Sequence, residues 1–463
     1  MINEIPHSVN RKFVLITIFF SSFLTAFSTY TTVISARIIE IELGMDVVTI
    51  VWASTIFILA AAMFQIPFGK VADLFGRKKI FLSGIVLFTL SSILLAFVDT
   101  SITFIVFRFM QGLGAALIYA TSNAILTASY PPNQRGKVIG ISVTGVYIGL
   151  TLSPLLGGIM TQNLGWRSQF WFNIPFGALI ILLVLFKVKG EWTSEKREKI
   201  DYLGSIIYAL FLFFLIFAFS LLPSIQGYIF ILVSILGAVV FFFWEKRIKN
   251  PVLNFDLFKN NRYFSFSCLV SIFFYISTIA LALLLSLFMQ YLKGMSPQEA
   301  GFILLVQPLI QAIFSPIAGR LSDRIETKTL VSMGVLLVII GIIPLIFLES
   351  NYPIYLIAIS FGIIGLGTAF FSSPNIRAIM SSVPKSSLGI AAGLEGTMRT
   401  IGQTLSFGVL TIVFAVIIGD VIITPVYYPQ FITSAQVICI TFLIISFLSL
   451  IFSILRGKQT SMD

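Results

Sequence analysis

Apolar positions along this chain come in long, nearly unbroken runs, with neither the alternation of a half-buried strand nor the one-sided stripe of a soluble helix. A stretch of about 18 or more such residues is long enough to cross the hydrocarbon core of a bilayer as an α-helix. Fourteen are found, near 13–35, 47–68, 80–97, 102–123, 138–160, 170–186, 202–221, 228–244, 263–290, 300–318, 329–347, 354–373, 388–418 and 436–455. The link from Asp99 to Ser101 is so short that the third and fourth spans must be antiparallel neighbours. The expected fold class is an all-α polytopic membrane protein.

Lysine and arginine test that count independently, because cytoplasmic loops carry their excess. With the N-terminus in the cytoplasm, 25 of the 30 fall in cytoplasmic segments. These are Arg11 and Lys12; Lys70, Arg77, Lys78 and Lys79; Arg135 and Lys137; five from Lys187 to Lys199; five from Lys246 to Arg262; Arg320, Arg324 and Lys328; Arg377 and Lys385; Arg456 and Lys458. Arg37, Arg167 and Lys293 fall on the other side, while Arg108 and Arg399 lie within spans. One missed span would invert every later loop, so the pattern predicts an even count with both termini cytoplasmic. Phe13 to Ser35 is too long for a signal-peptide core and reads as the first span.

Composition narrows the function classes. Mean hydropathy is +1.01, and charged residues make up 11%, against about 25% in an ordinary globular domain. The net charge of +11 is scattered in short clusters, which gives no continuous basic face for nucleic acid. Cys268 and Cys439 both sit in apolar runs and read as packing residues, and the one histidine, His7, lies in the N-terminal tail. With no Cys/His cluster, no Gly-x-x-x-x-Gly-Lys-Ser/Thr loop and no nucleophile–base set, a metal centre, a cofactor, ATP hydrolysis and enzyme chemistry all lack residues. Uphill transport would then draw on an ion gradient, where one charge crossing 100 mV is worth about 2.3 kcal/mol.

Between the second and third spans runs Gly69-Lys70-Val71-Ala72-Asp73-Leu74-Phe75-Gly76-Arg77-Lys78-Lys79, and its grammar returns as Gly319-Arg320-Leu321-Ser322-Asp323-Arg324. Repeated halves are a common way to build alternating access. Gly69 and Gly76 permit a sharp turn, and Asp73 can pair with nearby cations in one conformation only, which is the behaviour of a gate. The second copy lacks the following Gly-Arg-Lys run, so Asp323 is expected to gate more weakly. Gly140, Gly149, Gly157 and Gly158 permit close helix approach in the fifth span, where Pro154 favours a bend.

The first turn resembles the signature loop of the major facilitator superfamily, matching at Gly69, Asp73, Gly76, Arg77, Lys78 and Lys79. Arg108-Phe109-Met110-Gln111-Gly112-Leu113-Gly114-Ala115-Ala116 is similar to its fourth-helix motif, and Gly140, Gly149, Pro154, Gly157 and Gly158 to the fifth-helix motif of antiporters, with Ser153 in place of one glycine. Gly165-Trp166-Arg167, Asn173-Ile174-Pro175 and Asp201-Tyr202-Leu203-Gly204 resemble the fourteen-span drug:proton antiporter branch, and the likeness covers nearly the whole chain. It implies a major facilitator fold, with the fifth-span motif sealing the cavity against leak. Related transporters place an acid on the first helix where this chain has Ser28.

Intramembrane charges mark function by default. Glu395 is the one acid deep in a span and the leading proton-coupling candidate, together with Arg399 and Arg108. Arg399 lies four residues on, so a structural pair with Glu395 is equally open, and boundary acids such as Glu40, Asp46 or Asp73 could substitute for the missing first-helix acid. Arg108 either satisfies backbone carbonyls or meets an anionic substrate. Polar and aromatic side chains inside the spans are candidates for substrate contact: Gln111, Tyr119, Tyr147, Gln307 and Gln311, with Gln65, Asn123, Gln290 and Gln403 behind them.

The expected architecture is a six-helix bundle over 1–190, a linker with an inserted helix pair over 191–262 and a second six-helix bundle over 263–463. The expected function is export of lipophilic or amphipathic compounds by proton antiport across a prokaryotic cell membrane, by a monomer whose partners are a small-molecule substrate, protons and lipid. A narrower metabolite or organic-anion transporter, or a non-transporting sensor on the same fold, are the alternatives.

Overall fold

The computed structural model describes residues 10–193, 200–248, 251–253, 256–259, 261–383 and 388–457. His7, Lys196, Arg197, Lys199, Lys249, Lys385 and Lys458, which entered the reading above, lie outside them. Among the described residues every regular element is helical, and fourteen helices are long and apolar enough to cross a membrane. They are α1 (Arg11–Leu43), α2 (Val47–Phe75), α3 (Arg77–Leu95), α4 (Ser101–Ser129), α5 (Gln134–Leu164), α6 (Ser168–Phe186), α7 (Tyr202–Ser220), α8 (Ile225–Glu245), α9 (Arg262–Leu292), α10 (Pro297–Leu321), α11 (Thr327–Phe347), α12 (Ile354–Ser381), α13 (Gly393–Ile417) and α14 (Pro425–Leu455).

Short side chains set where many of these helices begin. Asp46 takes the Thr49 amide at α2, Asp201 the Gly204 amide at α7, and Asn261 the Phe264 amide at α9. Ser296 and Glu299 form a reciprocal capping box at α10. Two spans are interrupted in ways that hydropathy does not reveal. α9 breaks at Ile279–Ala280, where the Ser406 hydroxyl accepts the Ala280 amide at 3.0 Å. α10 breaks at Leu305, three residues before Pro308, whose missing N–H would have bonded the Leu304 carbonyl.

The chain forms two six-helix bundles, α1–α6 and α9–α14, with α7 and α8 as an inserted pair. The pairing inside the first bundle, α1 on α5 and α6, α2 on α4, and α3 on α4 and α6, recurs in the second as α9 on α13 and α14, α10 on α12, and α11 on α12 and α14. A close glycine crossing is repeated as well. A Cβ on Gly114 would lie 2.9 Å from the Gly84 carbonyl oxygen where α3 meets α4, and one on Gly367 2.6 Å from that of Gly334 where α11 meets α12.

The bundles meet along two seams, α2 against α13 and α5 against α10, which the same repeat exchanges. α7 lies on the first seam, with the Tyr208 hydroxyl on the Ala62 carbonyl of α2 and Phe219 against Gly408 of α13. α8 packs on α7 and turns most of its surface to the bilayer.

The two ends of the molecule differ. At the end away from the basic loops the seams are tight: Gly158 backs onto the Pro297 carbonyl, Gly301 onto that of Pro154, and Gln290 of α9 donates to the Ile34 carbonyl of α1 at 3.0 Å. At the basic end, Gly69, Gly140 and Gly393 have nothing within 4 Å of an added Cβ. A methyl at Gly301 would lie 2.2 Å from the Pro154 carbonyl oxygen, which is backbone and cannot swing away. Gly301→Ala is therefore expected to cost roughly 1–3 kcal/mol and lower the unfolding temperature in detergent. Gly69→Ala, in open helix, should leave it unchanged or raise it. Equal losses would contradict the seam.

Candidate functional site

Polar side chains from both bundles converge halfway along the spans. On α1, a run of hydroxyl residues from Ser21 to Ser35 faces inward, most of them satisfied by carbonyls three or four residues back. Tyr119 of α4 lies beside Thr25 and Thr29 of this run. Tyr147 of α5 faces Gln311 and Ser315 of α10, and Tyr275 of α9 faces Ser372 of α12. All three tyrosines surround Arg399 of α13, and Glu395 one turn away acts on Tyr147 and Tyr275 as well. The Thr400 hydroxyl donates to Gln65 Oε1 of α2 at 3.2 Å, closing the ring across the α2–α13 seam.

Tyr119 and Tyr147 of the first bundle and Arg399 of the second are partly buried where the two halves face each other. Glu395 is 7% exposed. It feels the Arg399 charge, yet the ion pairs within 4 Å among the described residues are Asp73–Arg77, Glu42–Arg167, Asp99–Arg167 and Asp323–Arg377. Glu395 and Arg399 thus share one helix face without a direct bond. Glu395 therefore stands among the three tyrosines as a buried acid with no ion pair within 4 Å among the described residues.

Other candidates lie elsewhere. Arg108 is buried inside the first bundle, donating to Gln111 Oε1 at 2.7 Å and lying 4.5 Å from the Phe57 ring centre. Gln111 in turn donates to Ser92 of α3, so both belong to the packing of α2, α3 and α4 and stand apart from the Tyr119–Arg399 group. Ser28 accepts a 3.3 Å bond from Asn173 of α6. Gln307 sits on α10 with its backbone against Gly365 of α12, and Asn123 is exposed at the basic end of α4. Gly145, Gly149 and Gly157 of α5 pack on α1, and Gly140 meets nothing. Cys268 and Cys439 are free and buried.

Tyr275, Thr25 and Thr29 were not singled out by sequence. Tyr275 follows Phe273 and Phe274 and looks like one more packing aromatic. The hydroxyl run of span one was the available signal.

At the basic rim, Arg77 donates to Asp73 at 2.8 Å and to the Ala124 carbonyl of α4, while Glu191 accepts the Lys78 amide. Gly76, at φ 110°, turns the chain against Glu191. Asp323 finds its cation on α12, from Arg377, which also reaches Ser322. Both aspartates therefore bond within their own bundle.

Two repeated bundles around a polar centre narrow the choice of family, and sequence comparison decides it: the profile of the Major Facilitator Superfamily matches residues 18–244 and 267–461. The chain belongs to this superfamily. It is 31% identical over 371 residues to the multidrug resistance protein Stp of Mycobacterium tuberculosis (strain CDC 1551 / Oshkosh), covering 79% of this chain and 68% of that one. It is 28% identical over 380 residues to the riboflavin transporter RibZ of Clostridioides difficile (strain 630), covering 81% and 82%. Among solved structures, an inward-facing, unoccupied bacterial homologue of the human lysosomal transporter Spinster superposes at TM-score 0.69 with 16% identity, over 96% of each chain. The protein is a multi-pass cell-membrane transporter of the superfamily.

Asp73 and Arg77 are 44% and 22% exposed, and an exposed pair contributes about 0.2–1 kcal/mol. Asp73→Asn should accordingly move the unfolding temperature little. A transport rate reduced roughly tenfold at that unchanged stability would place the work of Asp73 in another conformation; parallel loss of both would make it a fold residue.

Proposed function

We propose that this protein exports amphipathic aromatic compounds in exchange for protons, the basic loops facing the cytoplasm and the conformation described facing inward. The segment 1–190 and the segment 263–463 rock about the two seams, and 191–262 carries the inserted pair outside the transport path. The observation that carries this reading is Glu395: a buried acid at the polar centre between the bundles, influenced by Arg399 but not bonded to it. Multidrug resistance proteins among the relatives support the export of varied compounds. The close approach of Gly158 to Pro297 and of Gly301 to Pro154, with the Gln290–Ile34 bond, at the end away from the basic loops supports the inward-facing assignment. The aspartates of the two signature turns then close the inner rim only after the bundles rock back.

Three tyrosine rings, two carboxamides and one opposed charge pair suit a ligand with flat apolar faces and a hydrogen-bonding edge, because stacking tolerates variation while amides orient. A narrower specificity for a planar heterocyclic metabolite follows from the same lining, and a riboflavin transporter stands among the relatives. An organic-anion substrate loses its proposed residue, since Arg108 is enclosed in the first bundle.

In proteoliposomes with an imposed pH gradient, adding a transported compound should dissipate the gradient; no flux at all would leave a sensor. Glu395→Gln should reduce gradient-driven transport by tenfold or more while sparing substrate-for-substrate exchange, and unchanged uphill transport would remove Glu395 from coupling. A panel in everted vesicles separates the two substrate readings: uptake of lipophilic cations alongside neutral heterocycles supports the broad one, and uptake confined to planar heterocycles the narrow one.

A further inference from the structure

The outer ends of the two bundles are joined by a buried acid that the central site does not use. Glu40, in the last turns of α1, is 1% exposed. Its Oε2 accepts the Tyr291 hydroxyl from α9, and the Ile423 backbone, in the loop between α13 and α14, lies beside the carboxyl. Its Oε1 is buried with no partner. Tyr291 and Ile423 both belong to the second bundle, so Glu40 is where a carboxyl of the first bundle is gripped by the second. Around it Gln290 bonds the Ile34 carbonyl, and the Val47 amide donates to the Val421 carbonyl at 3.2 Å, both again between bundles.

We propose that Glu40 is a second proton-binding residue of the transport cycle, latching the outer ends together when neutral and releasing them when ionised. An ionised carboxylate left with one bare, buried oxygen is strongly disfavoured against the neutral acid, whereas on opening both oxygens meet water and that penalty is lifted. The proton comes from water on the outer side and returns there when the ends part; it does not cross the membrane by this route. Acid outside thus favours closure of the outer end, which is the direction an exporter needs in order to return inward.

The neighbouring charges are few. Arg37, one turn back on α1, lies 4.3 Å above the Tyr291 ring and opposes the effect by attracting the carboxylate, but it is partly exposed. Asp46, at the cap of α2, acts in the same sense as closure. Asp420, in the loop beside it, is held above the ordinary aspartate range by burial first and Asp46 second. Glu42 is occupied by Trp166 and Arg167.

The inference rests on proton-coupled alternating access, but the two can fail separately, because gate opening is read without substrate or gradient. Nitroxides at Leu164→Cys and Val426→Cys, both exposed at the outer ends of opposite bundles, report the separation by pulsed electron resonance in nanodiscs; buried Cys268 and Cys439 stay unlabelled. For a single proton the open-to-closed ratio should rise by up to about tenfold per pH unit between pH 5 and 9. Glu40→Gln, which imitates the neutral acid, should hold the short distance throughout. Tyr291→Phe should lengthen the average at every pH while keeping the response, and Asp46→Asn and Asp420→Asn should keep it as well. A wild-type response retained in Glu40→Gln, or a wild-type protein with none, would overturn the proposal. Glu395→Gln with undiminished uphill transport would instead overturn the coupling reading and leave this one standing.

Discussion

Hydrocarbon offers a backbone amide or carbonyl no partner, so each segment inside the bilayer must satisfy its own main chain, and every other feature of this protein is an answer to that requirement. The spans are helices for this reason alone. Where one is broken, a replacement is supplied, as the Ser406 hydroxyl does for the Ala280 amide. Hydroxyl groups along α1 turn back onto carbonyls of their own helix and so enter the interior at little cost. Lipid tails are as apolar as leucine and give no drive for helices to associate, which leaves close contact to do so, and the Gly84–Gly114 and Gly334–Gly367 crossings provide it.

The same requirement explains how two rigid bodies can share a mobile boundary. Within a bundle the helices interlock through many crossings. Between bundles the seams include backbone contacts such as Gly158 on Pro297 and Gly301 on Pro154, and side-chain bonds such as Gln65 with Thr400. The repeat exchanges the α2–α13 seam with the α5–α10 seam, so the two seams are built on the same plan. Asp73 and Asp323 bond within their own bundles and add nothing to the seams.

Much of this was legible beforehand. The number of spans follows from hydropathy, which is strong when twenty residues in a row must be apolar. The meeting of Tyr119, Tyr147 and Gln311 with Glu395 and Arg399 follows from their being polar at similar depth in spans that the repeat brings together. What was illegible depends on which way a helix faces. Gln111 and Arg108 are as polar as Gln311, yet α4 turns them toward Ser92 and Phe57 within the bundle. Tyr275 is hidden among phenylalanines, and depth alone could not show that Glu40 would meet Tyr291. The breaks in α9 and α10 are set by a hydroxyl on a distant helix and by a proline beyond the break, neither of which alters mean hydropathy.

The inserted pair has a consequence for the symmetry of the molecule. α7 lies along one seam and α8 shields it from lipid, while the matching seam on the far side carries no such cover from this pair. The two flanks of the molecule are therefore unlike: the repeat makes the seams equivalent in their pairing, and the inserted pair takes that equivalence away.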